Sequence, residues 1–355
     1  MTVIEPTRGP GQFVSRWRKH GPVDAETLVA WKEEDAWTAW LPLAEAALFL
    51  DAPELLNVIE TCLSPAEQAV LLLVRRRWLG DTHLMEAIEE AINITQHPDT
   101  RDLILEGRLR MERGLTRYES GDAEGAEEDL TWAETRLKSV AKASRDHDLS
   151  LLNKAAFHLA QGEALMALQV YGDISRTGGH AHETIAISRM GASRIRASLG
   201  HMFDAGRHAW NAHKHAILGH QQQMAIEAGA LFLELSLPHI DDSAPRMQDQ
   251  VDNAVPRDAE QTAPILSVNI ADVNGVFGWC FEHLGDGYGG IDRPDLRAMF
   301  SLAHRLDRVD HFEELIQQPD LVEDPMLAAV VQACCQNQEL EEQWGTRLAQ
   351  LTMLE

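Results

Sequence analysis

The sequence predicts an all-α protein, on three observations. Amphipathic segments of helical period follow one another between short, turn-rich breaks. No extended alternating run of Val, Ile, Thr and aromatic residues reads as a strand. Helix-start signals recur where such segments begin: Asp24 precedes AETLVAW, Ser64-Pro65 precedes AEQAVLLLV, Asp292-Arg293-Pro294 precedes DLRAMFSLAHRL, and Asp324-Pro325 precedes MLAAVVQAC. Each offers a capping side chain, and the last three add a proline tolerated in the first turn.

The middle of the chain is self-similar. Gly121 is followed by Ala126, Leu130 and Ala133; Gly162 by Ala167, Tyr171 and Ile174; Gly200 by Ala205, Ala209 and Ala212. Seven residues before these glycines stand Gly114, Ala155 and Ser193, all small. Small side chains let two antiparallel helices of a hairpin approach closely, and glycine supplies a permissive backbone at the turn between them. A weaker copy surrounds Gly80-Asp81, with its alanine displaced to Ala87, and QQQMAIEAGALFLELSL after Gly219 supplies one further first helix.

This pattern resembles the tetratricopeptide repeat, and the closest stretch is RGLTRYESGDAEGAEEDLTWAETRL, from Arg113 to Leu137. The glycines are 41 and 38 residues apart, whereas the family repeat is about 34 residues. The family's tryptophan and proline positions are mostly unmet. The resemblance implies a right-handed α-α superhelix over residues 24–237, with helical caps at both ends. Residues 1–23 are expected as a flexible arm, 238–264 as an acidic, proline-containing linker, and 265–355 as a C-terminal helical cap or a continuation of the solenoid.

Composition narrows function. The formal charge is −25, from 56 acidic against 31 basic residues, a field that repels a phosphate backbone, so nucleic acid is not expected as a partner. The one dense basic cluster, Arg75-Arg76-Arg77, fans around a helix and reads as local ion pairing with acidic neighbours. No stretch has the apolar length of a membrane span or signal peptide, and the cysteines (Cys62, Cys280, Cys334, Cys335) form no disulfide framework. A soluble cytoplasmic protein is the expectation.

His201, His208 and His215 recur at seven-residue intervals, a stripe whose members are about 10.5 Å apart along a helix, too far to share one metal ion. His180 and His182, with Glu183, follow Gly178-Gly179 and have donors suited to zinc, but a polar, pH-responsive histidine edge is the preferred reading, and no metal or other cofactor is expected. Gly285 to Asp292 lacks the spacing of a phosphate or calcium loop and reads as a connection. Cys334-Cys335 sits in an apolar run, and no G-x-S-x-G or H-E-x-x-H is present, so no catalytic residue is assigned.

The family resemblance implies a groove formed chiefly by the first helix of each pair. Its usual contact positions fall on Arg108, Met111, Leu115 and Tyr118, then Leu152, Ala156 and Leu159, then Ile187, Met190 and Arg194. The lysine and asparagine set that clamps chaperone tails in some members is missing. The expected function is a protein-interaction scaffold holding a protein or peptide segment in this groove. The alternatives are a regulator responding to a small ligand or peptide, and an enzyme whose site is built from distant residues.

Overall fold

A computed structural model describes residues 10–35, 37–81, 83–252 and 265–283. Among these, all regular structure is helical, apart from one isolated parallel bridge between Ile240 and Val268. No described helix is long and apolar enough to cross a membrane. The chain divides into two compact units, Met1–Val170 and Tyr171–Glu355.

In the first unit, α1 (Pro10–His20), α2 (Ala25–Glu34), α3 (Leu41–Phe49) and α4 (Pro53–Glu60) precede α5 (Pro65–Trp78), α6 (Leu84–Gln96), α7 (Leu103–Glu119), α8 (Ala123–Val140) and α9 (Arg145–Ala160). Residues 10–20, expected within a flexible arm, form α1 because Phe13, Val14 and Trp17 make one apolar face. That face is buried with Leu28, Trp31, Leu43, Leu55, Ile59, Leu73, Ile88 and Leu109 in a single core. Each large side chain so buried stabilises the fold by about 1.5–3 kcal/mol.

The start signals act as the sequence implies. The Asp24 carboxylate accepts from the Thr27 N–H at 2.8 Å. The Ser64 hydroxyl accepts from the Glu67 N–H, and the Glu67 carboxylate accepts in turn from the Ser64 N–H at 2.9 Å, a reciprocal cap that starts α5. The signals at Asp292 and Asp324 lie outside the described residues.

The glycine periodicity becomes one repeated turn. Gly80, Gly121, Gly162 and Gly200 have φ of 73°, 90°, 77° and 76°, the left-handed region. At each turn the next N–H reaches back to a carbonyl of the finished helix: Asp81 to Arg76, Asp122 to Arg117, Glu163 to His158 and His201 to Arg196, at 2.8–3.1 Å. The weak copy at Gly80 has the same turn as the strong ones. These turns join α5 to α6, α7 to α8, α9 to α10 (Ala164–Asp173), and α11 (His182–Ser198) to α12 (Met202–Leu218). The three alanines that follow at five residues, and the core residues beyond them, are all buried.

The small residues sit where helices meet. A Cβ on Gly114 would lie 3.1 Å from Leu130 and 3.2 Å from the Ala126 carbonyl. Ser193 donates its hydroxyl to the Ala205 carbonyl at 2.8 Å. Helices α7 and α8 pack along their lengths, as do α11 and α12, and within the first unit α7 also touches α5 and α9.

In the second unit, α12, α13 (Gln222–Ser236), α14 (Met247–Asp252) and α15 (Ile270–His283) enclose a core of Trp210, Phe232, Met247, Val251, Leu266, Val273 and Phe277. The Asp272 carboxylate accepts from Arg246 Nε at 2.9 Å and from the Met247 N–H at 2.8 Å. Asn269 donates to the Ala244 carbonyl at 2.8 Å. The described parts of the expected linker and of the C-terminal region are therefore packed together against α12 and α13. The Gly285 to Asp292 loop and Cys334-Cys335 lie outside the described residues.

Candidate functional site

On the first unit, α3, α5, α7 and the start of α9 converge on a cavity of about 380 Å³. Its floor is apolar, from Val70, Leu73, Val74 and Leu109, and its rim carries Arg77, Arg108 and Arg145 with Glu45 and Glu112. At its mouth the Phe49 and Trp78 rings meet edge to face, centroids 5.2 Å apart, and remain 48% and 62% exposed. Two large aromatic rings left this open beside an apolar cavity are a recognised feature of interaction surfaces.

The helices place these groups for local reasons. Trp78 ends α5, where the apolar run AVLLLV gives way to three arginines, and Phe49 ends the apolar α3. Two members of the arginine cluster are ion-paired as the sequence implies, Arg75 with Glu60 and Arg77 with Glu112. Arg108 crosses to Glu45, which is buried. Burial by itself would lower the Arg108 pKa, but Glu45, Asp146 and Glu112 outweigh it and raise the pKa above the usual arginine value. Burial pushes the Asp146 carboxyl up, against the opposing pull of Arg108 and Arg145. Arg145 stands exposed on the rim and makes no ion pair among the described residues.

The residues expected to line a groove have mixed fates. Arg108 lines the cavity. Met111 is 1% exposed and fills the core between α7, α8 and α9, with Leu130, Leu137 and Phe157. It is therefore interior, because its position on α7 points at the two neighbouring helices. Tyr118 is half-buried with its ring edge to face on Phe157, centroids 5.5 Å apart. Leu115 and Leu152 are half-buried, and Ala156 and Leu159 are exposed. In the second unit, Met190 is buried with Ala212 and Ala228, Ile187 is half-buried and Arg194 is exposed.

Phe49, Trp78, Glu45 and Arg145 join Arg108 around this cavity and are not among the residues expected from the sequence. Trp78 carried a local signal, a tryptophan at the end of an apolar helix beside a charged cluster, but its convergence with Phe49 is non-local. A larger open depression of about 730 Å³ follows one face of α8, over Glu124, Glu127, Glu128, Trp132 and Arg136. All its walls come from a single helix, so no second element focuses groups upon it. No protein-family model matches the chain, and no curated protein matches it in sequence.

Proposed function

We propose that the chain is a protein-interaction scaffold of tetratricopeptide-like helical hairpins, and that the face of α3, α5, α7 and α9 holds a partner segment. The observation that carries this reading is the exposed Phe49–Trp78 pair at the mouth of an apolar cavity rimmed by arginine. A segment with one large apolar side chain can pack against the exposed rings and over Val74. An acidic residue beside that anchor meets Arg145, which is exposed on the rim and makes no ion pair among the described residues. A helix or an extended apolar segment therefore suits this face better than a highly charged tail.

The recurrent glycine turns and the close contacts at Gly114 and Ser193 support the repeat architecture. Anchoring aromatics of this kind dominate binding, and truncating one typically costs about 2 kcal/mol or more. The experiment compares wild type with Phe49→Ser/Trp78→Ser by affinity purification, with circular dichroism as the control for folding. The reading expects a protein that co-purifies with wild type to be lost from the folded double variant. Equal recovery with both would remove this face from consideration.

A further inference from the structure

Helices α11 and α12 bring two heptad-spaced stripes of basic groups together along one seam. At one end His182 Nδ1 and His215 Nδ1 are 2.9 Å apart, and at the other Arg196 Nη1 and His201 Nδ1 are 3.2 Å apart. The two helices are antiparallel, so seven-residue steps inward from both contacts bring Arg189 opposite His208. Six groups that are cationic or able to become so thus line a seam about 21 Å long, in a chain of formal charge −25.

Three arginines elsewhere in the chain show what the seam lacks. Arg108, Arg113 and Arg246 each meet a buried carboxylate. Arg189 is half-buried, donates to the Ile174 carbonyl at 2.5 Å, and meets no carboxylate among the described residues. Arg176 and Arg207 are the charges that act on it. Their own nearby acids are engaged, Asp252 with Arg176 at 3.1 Å and Asp204 with Arg207 at 3.3 Å. Arg196 Nε is buried with no hydrogen-bond partner. Withdrawing a guanidinium from water without a counter-charge is costly, and an anion arriving at the seam offsets that cost.

We propose that this seam is a binding site for a small phosphate-bearing ligand, its dianion seated on Arg189 with His208 and His215 alongside. The guanidinium fork matches two oxygens of a phosphate group, and the imidazoles supply further donors. Arg189 and His208 are half-buried at the middle of the seam, and His182 and His201 at its ends are exposed. A polyanion is instead repelled by the net charge of the chain.

Burial and the neighbouring cations hold the two imidazoles neutral near pH 7. Burial, then the charges of Arg189, Arg207 and Arg196, push His208 down to about 3. Burial, then His182, Arg176 and Arg189, push His215 down to about 4. A dianion among these cations opposes the charge contribution to both shifts, although burial, the larger cause, remains.

The test is titration of the full chain with inorganic phosphate, against chloride at equal ionic strength, read by histidine ring resonances and calorimetry. The expected result is a saturable shift of the His208 and His215 signals. Arg189→Met is expected to weaken phosphate binding by at least about tenfold. If Arg189→Met does not fold, His208→Gln and the wild-type titration decide in its place. Equal shifts with phosphate and chloride, or undiminished phosphate affinity in a folded Arg189→Met, would overturn the site. Saturable binding of a phosphoserine peptide, with none of inorganic phosphate, would overturn the small-ligand assignment.

Discussion

Arg113 grips Asp129 with a two-pronged ion pair, Nε to Oδ2 at 2.8 Å and Nη2 to Oδ1 at 2.7 Å. The same carboxylate receives Arg117 at 2.9 Å and Arg110 at 3.4 Å, and it is 1% exposed. One buried acid on α8 therefore gathers three arginines from α7. Asp129→Ala leaves those guanidiniums crowded without their shared counter-charge, and loss of one partner of a buried pair costs about 3–5 kcal/mol. Urea unfolding followed by circular dichroism measures it, and a change under 1 kcal/mol, roughly the worth of an exposed pair, would show that the cluster is solvated.

Two glycines separate backbone strain from steric exclusion. Gly121 has φ of 90°, and a Cβ there meets nothing within 4 Å, so Gly121→Ala tests the left-handed turn alone. The expected loss is about 1–2 kcal/mol. Gly229 is the opposite case: its Cβ would lie 2.4 Å from Cys280 Sγ and 2.9 Å from His213 Nδ1.

Gly229→Ala should therefore destabilise by about 1–3 kcal/mol through overpacking between α13 and α15. Cys280→Ala removes the nearest obstructing atom, so the double variant should recover part of the loss. Strict additivity in that double-mutant cycle would argue that α13 and α15 are not packed at these residues.

His213 makes stability depend on pH. It is 1% exposed, and its Nδ1 lies 2.8 Å from the Ala225 carbonyl, to which the neutral ring donates. Burial lowers its pKa to about 4, although the Ala225 bond acts the other way. In the unfolded chain the ring titrates near 6.5. Between those values the unfolded state holds more protons, so stability is lost as pH falls from about 6.5 to 4. His213→Gln should flatten the fall in melting temperature across that window; an unchanged slope would assign the loss to other groups. His208 and His215 act in the same direction.

What the sequence disclosed is what short-range chemistry determines. The turns at Gly121, Gly162 and Gly200 were legible because a left-handed residue, a small residue and a buried alanine recur at fixed spacing on adjacent helices. The stripe of His201, His208 and His215 was legible too, but its counterpart of His182, Arg189 and Arg196 acquires meaning only through the antiparallel register. Met111 shows the limit of mapping by family position. Whether a side chain on α7 faces solvent or the neighbouring α8 and α9 depends on packing far away in sequence, and Met111 faces inward. The Phe49–Trp78 pair was hidden for the same reason, since the rings belong to helices whose approach nothing local announces. Helix α1 was obscured by flanking prolines and basic residues, although Phe13, Val14 and Trp17 were spaced to make a face.

The proposed role of the α3, α5, α7 and α9 face is to receive a partner segment. Site-specific photo-crosslinking in the native cell tests it most directly, with a photoreactive residue at position 78 and, as control, at position 131 on the outer face of α8. A discrete protein adduct is expected from position 78, diminished by Phe49→Ser and absent from position 131. Adducts from position 131 alone, or a position-78 adduct indifferent to Phe49, would contradict it.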